Sequence, residues 1–390
     1  MKALEAAHSI FDQLVAWRRD FHMYPELGLD TVRTAGIVAE TLRELGYTVQ
    51  EGIAKNGVVG LLENGDGAVI MSRVDMDALP IQEAGDKPYT SRNPGLMHAC
   101  GHDAHTAMGL GIAKLMAENS DAWNGTLKLV FQPGEEGQHG AEIMVKEGVL
   151  ENPRPQVALA LHVWNQRPYG KVLASAGPVM AAAESFQVVI TGKGGHGALP
   201  HRTVDPVTIA ALMITNLQTI VSRNIGALET AVLSVGSVRS GDAFNVIPET
   251  AELRGTIRTY DTDVRQHVLD RLSAIVAGTA TMMGASAELS FMPHTPALVN
   301  DASVTALVRE VVTDVLGEGQ LGDMQTMGSE DAAFFNQEIP GCYIFVASGP
   351  EDYQDRPHHN SKFDIDERAM VNGIAVIVES LLRLMPAKGA

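Results

Sequence analysis

The residues best suited to chemistry in this sequence lie between His98 and His105. Three of the 13 histidines and one of the two cysteines, Cys100, fall within these positions. A thiolate, imidazoles and a carboxylate grouped this closely form a ligand set that divalent transition metals prefer. Cys100 taken alone fits a buried, inert thiol equally well, with Asp103 as a helix N-cap. The grouping favours a metal site, because the Cys100-x-His102 spacing lets two side chains reach one ion from a tight turn.

A second candidate pair is Glu135 and Glu136, which lie between Gly134 and Gly137 directly after an apolar run. Two adjacent carboxylates in a glycine turn are also typical of a solvated loop. We expect adjacent side chains to point apart, so that one can bind a metal while the other moves a proton from an attacking water to a leaving nitrogen. His162, at the end of another apolar run, would by itself be a core histidine. The polar residues at the ends of the other apolar runs favour a ligand role for it.

These residues lie near the ends of apolar runs that alternate with helical patterns. Runs typical of buried strands lie at 57–62, 68–74, 126–131, 157–163 and 342–347. Helical spacing is found in the opening segment and at 31–45, 104–118, 304–316 and 367–384. The alternation predicts an α/β domain with a mostly parallel sheet, and such sheets place their chemistry in the loops after the strands. Gly46, directly after the second helical segment, is predicted to be its C′ glycine.

A different pattern at 181–294 predicts a smaller α+β domain inserted into the first, which then comprises 1–180 plus 295–390. Strand patterns lie at 186–191, 230–237, 251–260 and 287–292, and helical patterns at 205–223 and 262–283. The inserted segment has 8 basic and 10 acidic residues, a net charge of −2, whereas the rest of the chain carries −16. This charge difference supports a separate structural unit.

The inserted segment also contains a glycine-rich stretch, Gly192-Lys193-Gly194-Gly195-His196-Gly197. It lacks the spacing of a phosphate-binding loop, and no dinucleotide fingerprint precedes a helix. We therefore expect a glycine-rich hairpin that presents His196. No G-x-S-x-G sequence is present, which disfavours a serine nucleophile.

Composition narrows the class of protein. The formal charge of −18 disfavours nucleic acid and anionic membranes as partners. Two isolated cysteines cannot form a disulfide framework, and neither a signal-peptide pattern nor an apolar run long enough to span a membrane is present. We therefore expect a cytoplasmic protein.

The motifs together resemble the aminoacylase/carboxypeptidase-type metallopeptidases. The similarity is greatest to the amidohydrolase branch with hippurate hydrolase, indole-acetyl-amino-acid hydrolases and N-acetyldiaminopimelate deacetylase. The matching motifs, in chain order, are Arg18-Arg19…His22…Pro25-Glu26-Leu27, Asp75-Met76-Asp77-Ala78-Leu79-Pro80, Met97-His98-Ala99-Cys100-Gly101-His102-Asp103, Phe131-Gln132-Pro133-Gly134-Glu135-Glu136-Gly137, Gly192-Lys193-Gly194-Gly195-His196, Phe244-Asn245-Val246-Ile247-Pro248, Gly255-Thr256-Ile257-Arg258, Gly328-Ser329-Glu330-Asp331 and His359-Asn360. Arg73 stands where relatives outside this branch have a ligand histidine.

The resemblance implies a role for each candidate residue. Five residues would bind two divalent ions, with Cys100 bridging them: Cys100, His102, Glu136, His162 and His359. Glu135 would be the general base, and Asp75 a second catalytic carboxylate that orients a metal-ligating histidine. His196 would stabilise the oxyanion, in its own site or in that of a partner subunit. Asn245 and Arg258 would contact the carboxylate end of the substrate, although Arg258 also fits a surface ion pair on a strand.

The expected protein is a di-metal amidohydrolase that cleaves the amide bond of small-molecule N-acyl amino acids, such as hippurate, to a carboxylic acid and a free amino acid. Its metal would be manganese, zinc, cobalt or nickel. The inserted domain would act as a lid and would form a homodimer or larger homo-oligomer. Two alternatives stay open: a metallo-dipeptidase or carboxypeptidase, and a non-catalytic, metal-dependent binding protein. The presence of Glu135 and of every implied ligand disfavours the second.

Overall fold

The computed structural model describes residues 2–388, and the chain divides into two compact units. One unit comprises the residues up to Val179, Val299–Gln325 and those from Asp331 onward; the other comprises Met180–Leu298 and Thr326–Glu330. Each unit has a hydrophobic core of its own. The core of the first unit lies around its central sheet and its long helices, and this unit carries all the implied metal ligands.

Ten α-helices are present in the described residues. They are α1 (Ala3–Ser9), α2 (Phe11–Met23), α3 (Val32–Glu44), α4 (His102–Glu118), α5 (Gly140–Lys146), α6 (Pro206–Thr219), α7 (Thr262–Met282), α8 (Ala302–Leu316), α9 (Ala333–Glu338) and α10 (Ala369–Leu384).

Sixteen β-strands accompany them over the same part of the chain. They are β1 (Thr48–Ile53), β2 (Gly57–Asn64), β3 (Ala68–Asp75), β4 (Gly125–Gln132), β5 (Val157–Pro168), β6 (Val172–Leu173), β7 (Gly177–Met180), β8 (Ala182–Thr191), β9 (Gly195–His196), β10 (Ala231–Arg239), β11 (Val246–Ile247), β12 (Thr250–Thr259), β13 (Ser286–Phe291), β14 (Leu298–Asn300), β15 (Leu321–Gly322) and β16 (Gly341–Gly349).

The first unit is organised around an eight-stranded sheet in the order β1-β2-β4-β3-β5-β16-β6-β15. The four central strands, β4, β3, β5 and β16, run parallel to one another. Strand β1 pairs antiparallel with β2, β2 with β4 and β6 with β16, whereas β6 and β15 are parallel. The predicted mixed α/β fold with a mostly parallel sheet is confirmed. Because the central strands are parallel, their carboxyl ends lie at one edge of the sheet, where the site is assembled.

Helix α4 crosses this core and is buried along most of its length. The sequence pattern predicted a helix from position 104, and the structure begins it at His102, with Gly101 as the N-cap at φ 97°. The N-cap reading of Asp103 is therefore wrong. Asp103 accepts hydrogen bonds from Arg18 Nε at 2.9 Å and His22 Nδ1 at 2.8 Å, which are stronger partners for a buried carboxylate than backbone amides.

Helix α3 ends as its sequence predicts. Gly46, at φ 87°, follows the C-cap, and the Tyr47 N–H donates to the Leu42 carbonyl at 3.0 Å. This is the pattern of a Schellman motif, in which a left-handed glycine lets the chain satisfy the last free carbonyls of the helix.

The second unit is an antiparallel sheet in the order β10-β12-β8-β13, and α6 and α7 pack on it. Its core includes Phe186 and Leu253 from the sheet and Leu272 from α7. The glycine-rich stretch differs from the predicted local hairpin: His196, in β9, pairs with Val246 of the distant strand β11. No helix within residues 2–388 is long and apolar enough to cross a membrane.

Candidate metal centre and active site

The sheet places three groups of polar side chains at the same edge. Asp75 is the last residue of β3 and is level with Gln132, the last residue of β4, so the Glu135-Glu136 turn follows directly beside it. On the other side, β5 brings His162 to the same level, since Arg73 of β3 pairs with Ala160. The ends of the parallel strands therefore bring together carboxylates and an imidazole that are tens of residues apart in the sequence.

The thiol and the first histidine reach this edge from the start of α4. Gly101 adopts a left-handed conformation between Cys100 and His102, and a Cβ at this position would lie 2.3 Å from Cγ2 of Val163. The tight approach to β5 requires glycine. His359, itself left-handed at φ 61°, follows β16, and its N–H donates to the Ala99 carbonyl at 2.8 Å. The Cys100 loop and the His359 segment are thereby joined.

The five implied ligands lie in two overlapping groups. Ligand atoms of Cys100, His102 and His162 lie within 4.8 Å of one another, and so do those of Cys100, Glu136 and His359. Cys100 belongs to both groups, as a bridging ligand would. Its Sγ lies 3.4 Å from His162 Nε2, and His359 Nε2 lies 3.0 Å from Glu136 Oε1.

The hydrogen bonding of two imidazoles is compatible with a metal site. Nδ1 of His162 lies 2.6 Å from the Val163 carbonyl, so it carries the proton and leaves Nε2 as an electron-pair donor facing the thiol. Nε2 of His102 is buried and has no hydrogen-bond partner among the described residues. A buried orphan nitrogen costs about 1–3 kcal/mol, which a metal–ligand bond would recover. A soft thiolate together with imidazole and carboxylate donors fits divalent zinc, manganese, cobalt or nickel.

Electrostatics at the site favour a cation. Burial lowers the pKa of His102, but Asp75 and Asp77 outweigh it and raise the pKa to about 10. Burial and the nearby carboxylates of Glu136 and Glu135 raise the pKa of the Cys100 thiol well above its usual value. Carboxylates that hold a proton on His102 would equally attract a metal ion in its place, and a bound ion would stabilise the thiolate.

Asp75 makes its shortest contact with a residue that the sequence did not single out as a ligand or catalyst. Its Oδ1 lies 2.6 Å from His105 Nδ1, and its Oδ2 accepts from Arg73 Nη1 at 2.9 Å. Burial raises the pKa of Asp75, but His102, His105 and Arg73 together lower it well below the usual range. The carboxylate is thus held ionised. His102 Nδ1 is farther from it, at 3.8 Å, so the role implied for Asp75 stays a prediction.

Asp77 belongs to one of the matching motifs, and the resemblance implies no role for it. Its Oδ1 and Oδ2 accept the backbone N–H groups of Glu135 and Glu136 at 3.1 and 3.0 Å, and its Oδ1 lies 3.4 Å from His102 Nδ1. The signal for Asp77 was present in the Asp-x-Asp spacing after a strand. The signal for His105 was its position three residues after His102, on the same helix face.

The two adjacent glutamates do not diverge as the sequence suggested. Oxygens of Glu135 and Glu136 lie within 4.8 Å of each other and of a His102 ring nitrogen. Glycines with positive φ on both sides of the pair, Gly134 at 71° and Gly137 at 77°, bend the turn so that both carboxylates reach the same space. One carboxylate can therefore bind an ion while the other touches a molecule beside that ion.

The three remaining candidates belong to the second unit. His196 is exposed, and its Nδ1 accepts the Ala198 N–H at 3.0 Å, so Nε2 carries the proton and can donate. Asn245 is exposed next to β11. Arg258, on β12, is half-buried, burial lowers its pKa, and no ion pair within residues 2–388 neutralises it. The alternative of a surface ion pair for Arg258 is not what the structure contains.

Comparisons with known proteins agree with this geometry. The model of "Peptidase family M20/M25/M40" matches residues 71–383. An N-acetyl-L-cysteine deacetylase of Bacillus subtilis is 37% identical over 375 residues, covering 96% of this chain and 88% of the relative. Thermostable carboxypeptidase 1 of Saccharolobus solfataricus is 36% identical over 373 residues, covering 93% of each.

The fold comparison gives the same result. The crystal structure of the Bacillus subtilis YXEP protein, described as a dinuclear metal binding peptidase from the M20 family, superposes with a TM-score of 0.84. It is 31% identical and covers 97% of this chain and 99% of that one. The chain therefore belongs to peptidase family M20/M25/M40, and its chemistry is the hydrolysis of amide bonds.

Proposed function

We propose that this chain hydrolyses the amide bond of N-acyl amino acids, releasing a carboxylic acid and a free amino acid, with two divalent ions held by the five ligands named above. The observation that carries the proposal is the shared position of Cys100 between two donor groups, with the Glu135 carboxylate beside His102 and Glu136. The similarity to an N-acetyl-L-cysteine deacetylase supports an acylated amino acid as the substrate.

Glu135 is the residue best placed to move protons. Its carboxylate lies beside the ligand atoms of His102 and Glu136, and its backbone is held by Asp77. It would take a proton from the attacking water and deliver it to the leaving nitrogen. The bound ions would supply Lewis acidity for the carbonyl and the water.

His196 and Arg258 supply the two remaining kinds of contact in this proposal. The Nε2–H of His196 would donate to the oxygen on which charge develops. Arg258 lacks a carboxylate partner within residues 2–388, and its planar guanidinium would pair with the free carboxylate of the substrate beside Asn245. The inserted unit is proposed to act as a lid and to join two copies of the chain.

A substrate panel with a Glu135→Ala variant tests the proposal. Metal-stripped protein would be resupplied with Mn²⁺, Co²⁺ or Zn²⁺, and amino acid release from N-acetyl, N-benzoyl and aryl-acetyl amino acids would be measured. We expect metal-dependent release by the wild type. Glu135→Ala should retain its bound metal and lose about 10²–10⁴-fold in kcat, because the general base is removed.

Glu142→Ala provides a matched control, since Glu142 lies on α5 in an exposed pair with Lys146 and should leave kcat unchanged. Substantial turnover by Glu135→Ala would exclude Glu135 as the base.

A second candidate function is a carboxypeptidase or dipeptidase, favoured by the similarity to the thermostable carboxypeptidase. The same panel separates the two, because a peptidase would release amino acids from unblocked dipeptides and leave acylated substrates intact. Bound metal without release from any substrate would support the non-catalytic binding protein.

A further inference from the structure

We propose that Asp77 is a positioning residue that sets two parts of the site at once: the backbone of the Glu135-Glu136 turn and the ring of His102. The inference rests on the proposed function, because it assigns Glu135 and His102 the roles given there. It goes beyond that function because Asp77, which is neither the proposed base nor a proposed metal ligand, is assigned the alignment of both.

The first part is a pair of charge-assisted hydrogen bonds. Asp77 is 1% exposed, and its side-chain oxygens accept the consecutive N–H groups of Glu135 and Glu136 at 3.1 and 3.0 Å. Consecutive amides that point into one concavity form a natural anion site, and here a carboxylate of the chain itself fills it. These amides belong to Glu135, the proposed base, and to Glu136, a proposed ligand. Asp77 therefore fixes the backbone positions from which both carboxylate side chains extend.

The second part is the contact with His102. Oδ1 of Asp77 lies 3.4 Å from Nδ1 of that histidine, nearer than Oδ1 of Asp75 at 3.8 Å. At this distance the contact is electrostatic rather than a hydrogen bond of ordinary length. It favours a proton on Nδ1 and so leaves Nε2 as the atom that binds a metal.

Asp75 is already occupied by other partners, which leaves this task to Asp77. Oδ1 of Asp75 faces His105 at 2.6 Å, and Oδ2 accepts from Arg73 at 2.9 Å. His105 in turn accepts the Val163 N–H at its Nε2 at 2.8 Å. The two aspartates of the Asp-x-Asp sequence thus have different contacts. Asp75 is held by Arg73 of the sheet and His105 of α4, and Asp77 connects the glutamate turn to His102.

Asp77→Asn tests this assignment, because it keeps the shape and removes the charge and one acceptor. In Co²⁺ titrations of the metal-stripped protein, we expect about a 10–100-fold loss of Co²⁺ affinity and a changed thiolate-to-cobalt absorption band. With N-acyl amino acids, kcat should fall much more than KM changes, because the base and the ligand are displaced while the substrate contacts of the second unit stay intact.

Asp301→Asn is the matched control. Asp301 also accepts two backbone N–H groups, from Ser303 and Val304 at 2.8 and 2.9 Å, but it caps α8. Its variant should keep wild-type Co²⁺ affinity and kcat. If Asp77→Asn lowers only the melting temperature, as a purely structural residue would, the proposal is wrong.

A measurement on the wild type decides the question if Asp77→Asn does not fold. With ¹⁵N-labelled histidine and ¹¹³Cd²⁺ as the probe, the cadmium coupling to His102 should appear at Nε2, and Nδ1 should carry a proton. Coupling at Nδ1 would overturn the proposal. Both metal experiments need no substrate, so a wild type that binds metal but releases no amino acid contradicts the proposed function alone.

Discussion

At the residue scale, the site depends on buried charges whose partners were unexpected. Arg18 is fully buried, and its guanidinium donates to Asp103 at 2.9 Å, to Asp364 at 2.9 Å and to Glu367 at 3.1 Å. Asp103 follows His102 directly in α4, so this network holds the helix end that carries a proposed ligand. A buried charge that loses its partner typically costs 3–5 kcal/mol, which explains why an arginine near the N-terminus belongs to the motif set.

Asp364 makes the stability of this network depend on pH. Burial raises its pKa, but Arg18 and Lys87 outweigh it and lower the pKa to about 2. A carboxyl group with a lowered pKa stabilises the fold above its unfolded pKa near 4, and this contribution is lost as the pH falls from about 4 to about 2. Asp364→Asn should therefore lower the free energy of unfolding by at least roughly 2 kcal/mol at pH 7.

Denaturant unfolding at pH 7 and at pH 3 measures this effect, and the difference between variant and wild type should shrink at the lower pH. Asp20→Asn is the control, because Asp20 pairs with Arg33 where both side chains are more than a third exposed, and it should change the free energy of unfolding by less than about 1 kcal/mol. An equal effect of Asp364→Asn at both pH values would contradict the prediction.

At the element scale, the loop between α2 and α3 supports the loops that follow β3 and β4. Glu26 accepts the N–H groups of Arg33 and Thr34 at 2.9 and 2.8 Å and so caps α3, while its own carbonyl accepts the Ala78 N–H at 2.8 Å. The N-terminal motif therefore supports the loop that contains Asp77. Gln138, behind the glutamate turn, accepts the N–H of Leu29 at 2.9 Å. These contacts give the motif around Pro25-Glu26-Leu27 a structural role.

The start of α4 gives a prediction at this scale. Gly101→Ala would place a Cβ 2.3 Å from Val163 Cγ2 and force alanine to a φ of 97°. Gly46→Ala is the matched control, since Gly46 has a φ of 87° and open space around it. We expect Gly101→Ala to lower the free energy of unfolding by roughly 1–3 kcal/mol more than Gly46→Ala does, and to weaken Co²⁺ binding as well. Thermal unfolding and Co²⁺ titration check this; equal destabilisation would contradict it.

At the scale of the whole molecule, the chain consists of two units with separate cores, and the proposed residues are divided between them. The ligands and Glu135 belong to the first unit, and His196, Asn245 and Arg258 to the second.

Complementation between subunits tests this arrangement together with the proposed dimer. Glu135→Ala and His196→Ala should each be nearly inactive. If His196 acts in the partner's site, a mixed dimer contains one intact site, and mixing the two variants under exchange conditions should restore activity. Light scattering would give the oligomeric state. A dimer whose mixed variants stay inactive would place His196 in its own subunit's site, and a monomer would contradict the proposed assembly.

Much of the site was predictable from the sequence, because metal ligands must be of particular residue types. Three histidines and a cysteine within eight positions predicted a metal site, and the resemblance of the ordered motifs to a metallopeptidase family implied a hydrolase. Short continuous apolar runs that alternate with segments of helical spacing predicted the mostly parallel sheet. These signals are local, and each depends on few neighbouring residues.

Only the tertiary structure decided which polar side chain partners which. Asp75 and Asp77 are two residues apart and indistinguishable by pattern, yet one lies against His105 and Arg73 and the other against the Glu135-Glu136 turn. The start of α4 at His102 and the pairing of His196 with Val246 likewise depend on distant segments. Hydrogen bonds and ion pairs between residues far apart in sequence are fixed by strand order and register, which the chain acquires only when its core packs.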